Sequence, residues 1–132
     1  MADTPSAPQQ VVPSWQSEPV LHVATLDKLQ SAVGPETMAI LVNSACQGLR
    51  DSLSDIATVT KDGNLPQIKR IAHKIGGLAA QFGALRAGAL AQEIETHAEI
   101  LDDVRIQVKS LETCGNDAIV MLKDFAAKMA VA

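Results

Sequence analysis

The side chains of this chain that could do chemistry are three histidines, two cysteines and a spread of carboxylates. His73 stands apart by its neighbours. Lys69 and Arg70 lie one helical turn before it, the tandem Gly76-Gly77 one turn after it, and Ala80 two turns after it. A neutral imidazole is nucleophilic near neutral pH because its ordinary pKa is about 6.5. A phosphoryl group placed on such a ring stays reactive enough to be passed on. That chemistry needs open approach to one ring nitrogen and a partner on the other, to fix the tautomer and balance the charge that develops. The glycines bear on the approach. Each costs roughly 0.8–1 kcal/mol relative to Ala inside a helix, so a tandem pair there needs a reason. Either a neighbouring helix packs closely against them, or they leave a flat surface on which another protein can bring a reactive group up to the ring.

The elements that must position His73 can be read from apolar periodicity. A helix carrying Ile68, Ile71, Ala72, Ile75, Ala79 and Phe82 has the cleanest stripe in the chain. At about 100° per residue, His73 falls roughly 150° from the middle of that stripe and therefore faces solvent. Asn64 can cap this helix, with Pro66 in its first turn. Two helices precede it. A short one runs from a Thr25 cap through Leu26, Leu29 and Val33 to Gly34. A long one starts at Pro35 and carries Met38, Val42, Ala45, Leu49, Leu53 and Ile56, ending at Lys61-Asp62-Gly63-Asn64. After a bend at Gly83, a fourth helix places Ala87, Leu90, Ala91, Ile94, Ala98 and Leu101 on one face. The last runs from about Asp103 to Met129, and Cys114-Gly115-Asn116 is expected to bend or loosen its middle. No strand pattern competes. The expected fold is all-α, an antiparallel four-helix bundle with a short additional N-terminal helix. It occupies residues 21–132 and follows a flexible Pro-rich tail over residues 1–20. Trp15 sits in that tail, either solvated or docked on the bundle or a partner.

A hairpin of the third and fourth helices turning at Gly83-Ala84 sets His73 level with Glu95, with Gln92 one turn away. A carboxylate there could accept a bond from Nδ1 and leave Nε2 free. Glu95 could equally be a solvated residue on the flank of its stripe.

Composition excludes several classes. Net charge is −4, so no net positive field draws in nucleic acid or an anionic membrane. Aromatics are 2% of residues, which leaves no stacking platform for single strands. Cys46 and Cys114 lack zinc-site spacing and read as core thiols in a reducing cytoplasm. The start shows no basic stretch followed by an apolar one, so no secretory signal is expected. No apolar run is long enough to span a membrane. Glu93 and His97 are four apart, but the inward Glu-x-x-His pairs of di-iron bundles are absent, and no metal site is expected. No Ser/His/Asp or Cys/His pairing suggests a hydrolase.

The stretch Ile71-Ala72-His73-Lys74-Ile75-Gly76-Gly77-Leu78-Ala79-Ala80-Gln81-Phe82-Gly83-Ala84 resembles the active helix of histidine phosphotransfer (HPt) domains. That family typically shows Ala-His-x-Leu-Lys-Gly, small residues, then Asn or Gln, an apolar residue and Gly-Ala. The order of helices extends the resemblance from about Val20 to the C-terminus. It implies a phosphorelay protein in which His73 is phosphorylated, exchanging the group with aspartates on response-regulator receiver domains or with a hybrid sensor histidine kinase. Gly77 matches the family's docking glycine. Glu95 matches a position where relatives often place an acid or amide bonded to the histidine. The protein would then be a cytoplasmic carrier and not an enzyme, with no cofactor of its own and Mg²⁺ on the partner receiver. The initiator Met with a full tail favours a free-standing protein.

One departure is Gly76, where the family usually has a lysine that neutralises phosphoryl charge. Lys74 points about 100° away from His73. Lys69 and Arg70 could substitute, or could be ordinary solvated residues. The alternative reading is a non-transferring module that keeps the docking surface and binds a kinase or response regulator.

The two explanations of the glycines separate in one experiment. Gly77→Gln is expected to weaken binding of a cognate receiver while leaving the bundle folded, since Gln is the better helix former by several tenths of a kcal/mol. A titration showing unchanged affinity would contradict docking, and an unfolded variant would favour packing.

Overall fold

The computed structural model describes residues 14–131 and is helical throughout, with no strand among the described residues. A single 3₁₀ turn, Ser14–Ser17, precedes five α-helices. These are α1 (Val23–Val33), α2 (Pro35–Asp62), α3 (Leu65–Gln81), α4 (Leu85–His97) and α5 (Leu101–Val131). The most extensive packing is between α2 and α5 and between α3 and α4, and the ring is closed by α2 against α3 and α4 against α5. Short connections make neighbours antiparallel. The result is a four-helix bundle, with α1 laid against α2.

The start and stop signals act through identifiable groups. Gly63 ends α2 at φ 72°, a left-handed conformation that costs glycine little. The Asn64 side chain then accepts a bond from Gln67 N at 3.2 Å to cap α3. Gly83 turns the chain between α3 and α4 at φ 76°, and a β-carbon there would lie 2.7 Å from the His22 carbonyl oxygen. The close approach exists because His22 N donates to the Gly83 carbonyl at 2.7 Å, tying the entry of α1 to the α3–α4 turn.

That tie corrects the start of α1. The helix begins at Val23, with His22 and not Thr25 at the cap position. Thr25 lies in the first turn, where its hydroxyl bonds His22 Nδ1 at 2.9 Å. The junction of α4 and α5 also differs from expectation. Ala98 is extended, residues 98–100 form the connection, and Leu101 opens α5 instead of closing α4. Asp102 and Asp103 then fall in the first turn of α5, where their charge suits the helix dipole. The expected bend at Cys114-Gly115-Asn116 is absent, for α5 runs through it unbroken. Gly115 serves packing: a β-carbon there would lie 2.6 Å from Leu53 Cδ1 on α2.

The segment before α1 is only partly as expected. Residues 1–13 of the Pro-rich stretch lie outside the described residues. From Ser14 onward the chain packs on the bundle instead of being solvated, with Trp15 half-buried against the core. Arg86 Nε donates to the Glu18 carbonyl at 2.8 Å, and Arg86 N to the Pro19 carbonyl at 2.9 Å.

Every helix of the bundle contributes fully buried aliphatic side chains, among them Leu49, Ile56, Ile68, Ile75, Leu90, Ile94, Leu111 and Leu122. Each contributes roughly 1.5–3 kcal/mol by leaving water. Cys46 and Cys114 are buried free thiols, and burial pushes both above the ordinary thiol value.

Gly115→Ala is expected to destabilise the bundle by about 1 kcal/mol. The methyl gains nearly 1 kcal/mol of helix propensity, but overpacking against a buried Leu53 costs about 1–3 kcal/mol. The urea midpoint checks this, and a midpoint at or above that of the parent protein would contradict the packing role.

Candidate functional site

The setting of α3 decides the site. Ile68, Ala72, Ile75 and Ala79 have no exposed surface. Turning the helix to bury His73 would lift out two isoleucines, at roughly 1.5–3 kcal/mol each. The imidazole therefore stands out, with its side chain 76% exposed. Glu95 of α4 reaches it, with Oε2 at 2.7 Å from Nδ1 and a carboxylate 38% exposed. An ionised carboxylate only accepts, so Nδ1 carries the hydrogen and donates. In the neutral ring Nε2 then keeps its lone pair and faces away from Glu95. Of the two readings of Glu95, the hydrogen-bonded one describes the structure.

His73 and Glu95 lie in a groove of roughly 520 Å³ between α3 and α4. Gly76, Gly77, Ala80 and Gln92 line it as well, so six of the residues singled out in sequence come together. The glycines differ in their surroundings. A β-carbon on Gly77 would meet nothing within 4 Å, so packing within the chain does not require that glycine. Gly76 leans toward α4 and is half-buried, where a β-carbon would meet Ala91 Cβ at 3.8 Å in ordinary contact. Lys69 and Arg70 are not part of the lining. Arg70 Nη1 donates to Gln67 Oε1 at 2.8 Å, which draws the guanidinium toward the start of α3. No lysine or arginine lines the groove among the described residues.

Sequence reading missed four lining residues, Leu85, Gly88, Ala89 and Glu18. Gly88 had a legible signal: a glycine within the helix expected to face Gly76. Its β-carbon would meet Ala79 Cβ at 3.6 Å and the Gly76 carbonyl at 3.8 Å, so small residues bring the two backbones close here. Glu18 had none, because it precedes the bundle and only the docked segment brings it in. The other histidines lie elsewhere: His22 caps α1 and His97 ends α4, both exposed. Among the described residues no group of three His, Cys, Asp or Glu side chains is placed to hold a metal ion, and no helix is long and apolar enough to cross a membrane.

Known proteins resemble this chain in sequence and in fold. The chain is 30% identical over 93 residues to the phosphorelay protein LuxU of Vibrio cholerae serotype O1, a match spanning 69% of this chain and 82% of that one. The crystal structure of histidine-containing phosphotransfer protein B (HptB) from Pseudomonas aeruginosa PAO1 superposes with a TM-score of 0.76 at 18% identity. That superposition covers 85% of this chain and 98% of the other, and it shows a shared fold. The Hpt domain model matches residues 40–126, about two thirds of the sequence and all of the α3–α4 hairpin that carries His73; the chain belongs to the Hpt domain family.

Proposed function

We propose that this protein is a histidine phosphotransfer carrier that relays a phosphoryl group between His73 and receiver-domain aspartates of a two-component phosphorelay. The observation that carries the reading is the Nδ1–Glu95 hydrogen bond on an exposed ring beside an unobstructed glycine. In the acceptance step the Nε2 lone pair attacks the phosphorus of an aspartyl phosphate. The Nε2–P bond forms, the acyl P–O bond breaks, and the aspartate leaves as carboxylate. The ring keeps the Nδ1 hydrogen and becomes cationic, so no proton has to be removed. Glu95 then holds a charge-assisted bond to that cation. Gln92, one turn before Glu95, lines the same groove and supports the group there. Return of the phosphoryl runs the same steps backward.

The carrier supplies a nucleophile and its positioning. Phosphoryl transfer depends mainly on positioning and charge neutralisation, and the docked receiver is expected to bring Mg²⁺ and a lysine. The carrier is therefore not itself an enzyme. Gly76, Gly77 and Ala80 form the surface on which a receiver or a kinase's receiver domain seats, and the relay operates in the cytoplasm. Arg70 is turned toward Gln67, while Lys69, one turn before His73, is within side-chain reach of the phosphoryl charge. The groove's lack of a cation also favours a second reading, a module that docks a kinase or response regulator without accepting the group.

Labelling decides between them. With phosphorylated receivers of the same organism, His73→Gln is expected to abolish label, while His22→Gln and His97→Gln retain it. A wild-type protein that binds one receiver tightly, yet takes no label from any receiver or kinase, would establish the docking module instead.

Glu95→Gln tests the partner nitrogen. The amide oxygen can still accept from Nδ1, but its charge is gone. Acceptance by His73 is expected to slow about three- to tenfold, the range for a partly exposed charge interaction. An unchanged single-turnover rate would mean that Glu95 only orients the ring.

A further inference from the structure

The segment that packs against the bundle ahead of α1 adds a second carboxylate to the groove in which α4 places Glu95. Glu18 lines the His73 groove. Its position is held by bonds to main-chain carbonyls, from the Arg86 side chain to Glu18 and from Arg86 N to Pro19, and by Trp15 seated beside it. Arg86 makes no ion pair with the Glu18 carboxylate. Its Nε is committed to the Glu18 carbonyl, and the residue borders a separate hollow with Trp15, Cys114 and Asp117. The Glu18 carboxylate makes no ion pair with another described residue.

Register locates this charge. Arg86, which bonds the Glu18 main chain, lies nine residues before Glu95 on α4, about 13 Å along the axis. Glu95 holds His73 at one end of the groove, and Glu18 stands at the other, beside the α3–α4 turn. At that range a carboxylate acts weakly on the phosphoryl group through solvent, because the Debye length is about 8 Å at physiological salt. It acts strongly on whatever side chain a docked protein sets against it. Between the two ends the floor is neutral and small.

We infer that Glu18 is a specificity-determining residue for docking, selecting receiver domains that present a Lys or Arg at the turn end of the groove and disfavouring those that present an acid there. The inference rests on the proposed seating of receiver domains at the His73 groove. Rim charges of this kind set partner choice and association rate, and they respond to salt.

The test is titration of the full chain with receiver domains of its own organism, at low salt and at roughly 0.5 M salt. Glu18→Gln is expected to weaken the best-binding receiver about threefold at low salt, the scale of one exposed ion pair. Glu18→Lys is expected to weaken it about tenfold and to gain affinity for receivers with an acid at the facing position. Glu18→Asp should stay within about twofold, and all the differences should collapse at high salt. Trp15 is the sole tryptophan, so its emission reports whether the segment remains seated in each variant. Equal affinities across the variants would overturn the inference while leaving transfer to His73 intact. So would a loss that persists at high salt with shifted Trp15 emission, since that would make Glu18 a seat for the segment. Labelling reads the other question separately: a wild-type protein that binds a receiver but takes no label fails the carrier reading, whereas one that binds no receiver overturns this inference.

Discussion

Ile68, Ala72, Ile75 and Ala79 lie with no exposed surface along one side of α3, and their burial holds that helix in a single rotational setting. The exposure of His73 follows from this and from nothing local to the histidine. Residues of a helix share one rigid frame, so whatever fixes the stripe inward fixes the residue opposite it outward. Several kcal/mol of apolar burial oppose any rotation that would cover the ring. A reactive group can thus stand in water on a helix that is among the best anchored in the molecule.

The second requirement is that α4 come close enough for a carboxylate to meet the ring. Small residues make this possible. Gly76, Ala79, Gly88 and Ala91 lie at the seam, and added β-carbons at the glycines would already be in van der Waals contact with the facing helix. Bulkier residues would hold α4 further away, and a distance of 2.7 Å between Nδ1 and Oε2 leaves little room for displacement. The glycines therefore have two distinct settings. Gly76 and Gly88 lie at the seam, where a methyl would just make ordinary contact with the facing helix, while Gly77 faces open space and keeps the surface flat beside the ring.

Charge is divided between carrier and partner. The groove holds one imidazole, two carboxylates and a neutral floor. A phosphoryl group seated there receives compensation for its ring cation from Glu95, but none for its own oxygens from the residues that line the groove. On the carrier reading, neutralisation arrives with the docked receiver and departs with it. The phosphorylated site is then most favourable while a partner is present, which suits a group that must be both accepted and given up.

Much of this was determined by the sequence alone. Apolar periodicity gives the helices, because a stripe recurring at three and four residues can be buried in only one way. Asn64-Leu65-Pro66 and Gly83 mark ends whose backbone chemistry is local. The outward direction of His73 and its level with Glu95 follow from the same geometry, given a short hairpin. What the sequence left open depended on contacts between distant segments. Whether Glu95 met the ring or stayed in solvent rested on the α3–α4 spacing. Arg70 could have leaned toward His73, but a hydrogen bond to Gln67 takes it the other way. Helix α1 starts at Val23 because His22 is tied to the distant Gly83, and no cap signal near Thr25 carries that information. Gly115 reads as a break in sequence and is unbroken helix in the fold, because Leu53 fills the space beside it. Glu18 enters the groove only because Arg86 and Trp15 seat a segment whose own composition gives no reason to fold. Local chemistry wrote the helices and pointed the histidine outward; the distances across the groove, and which charges stand in it, were settled by how those helices pack.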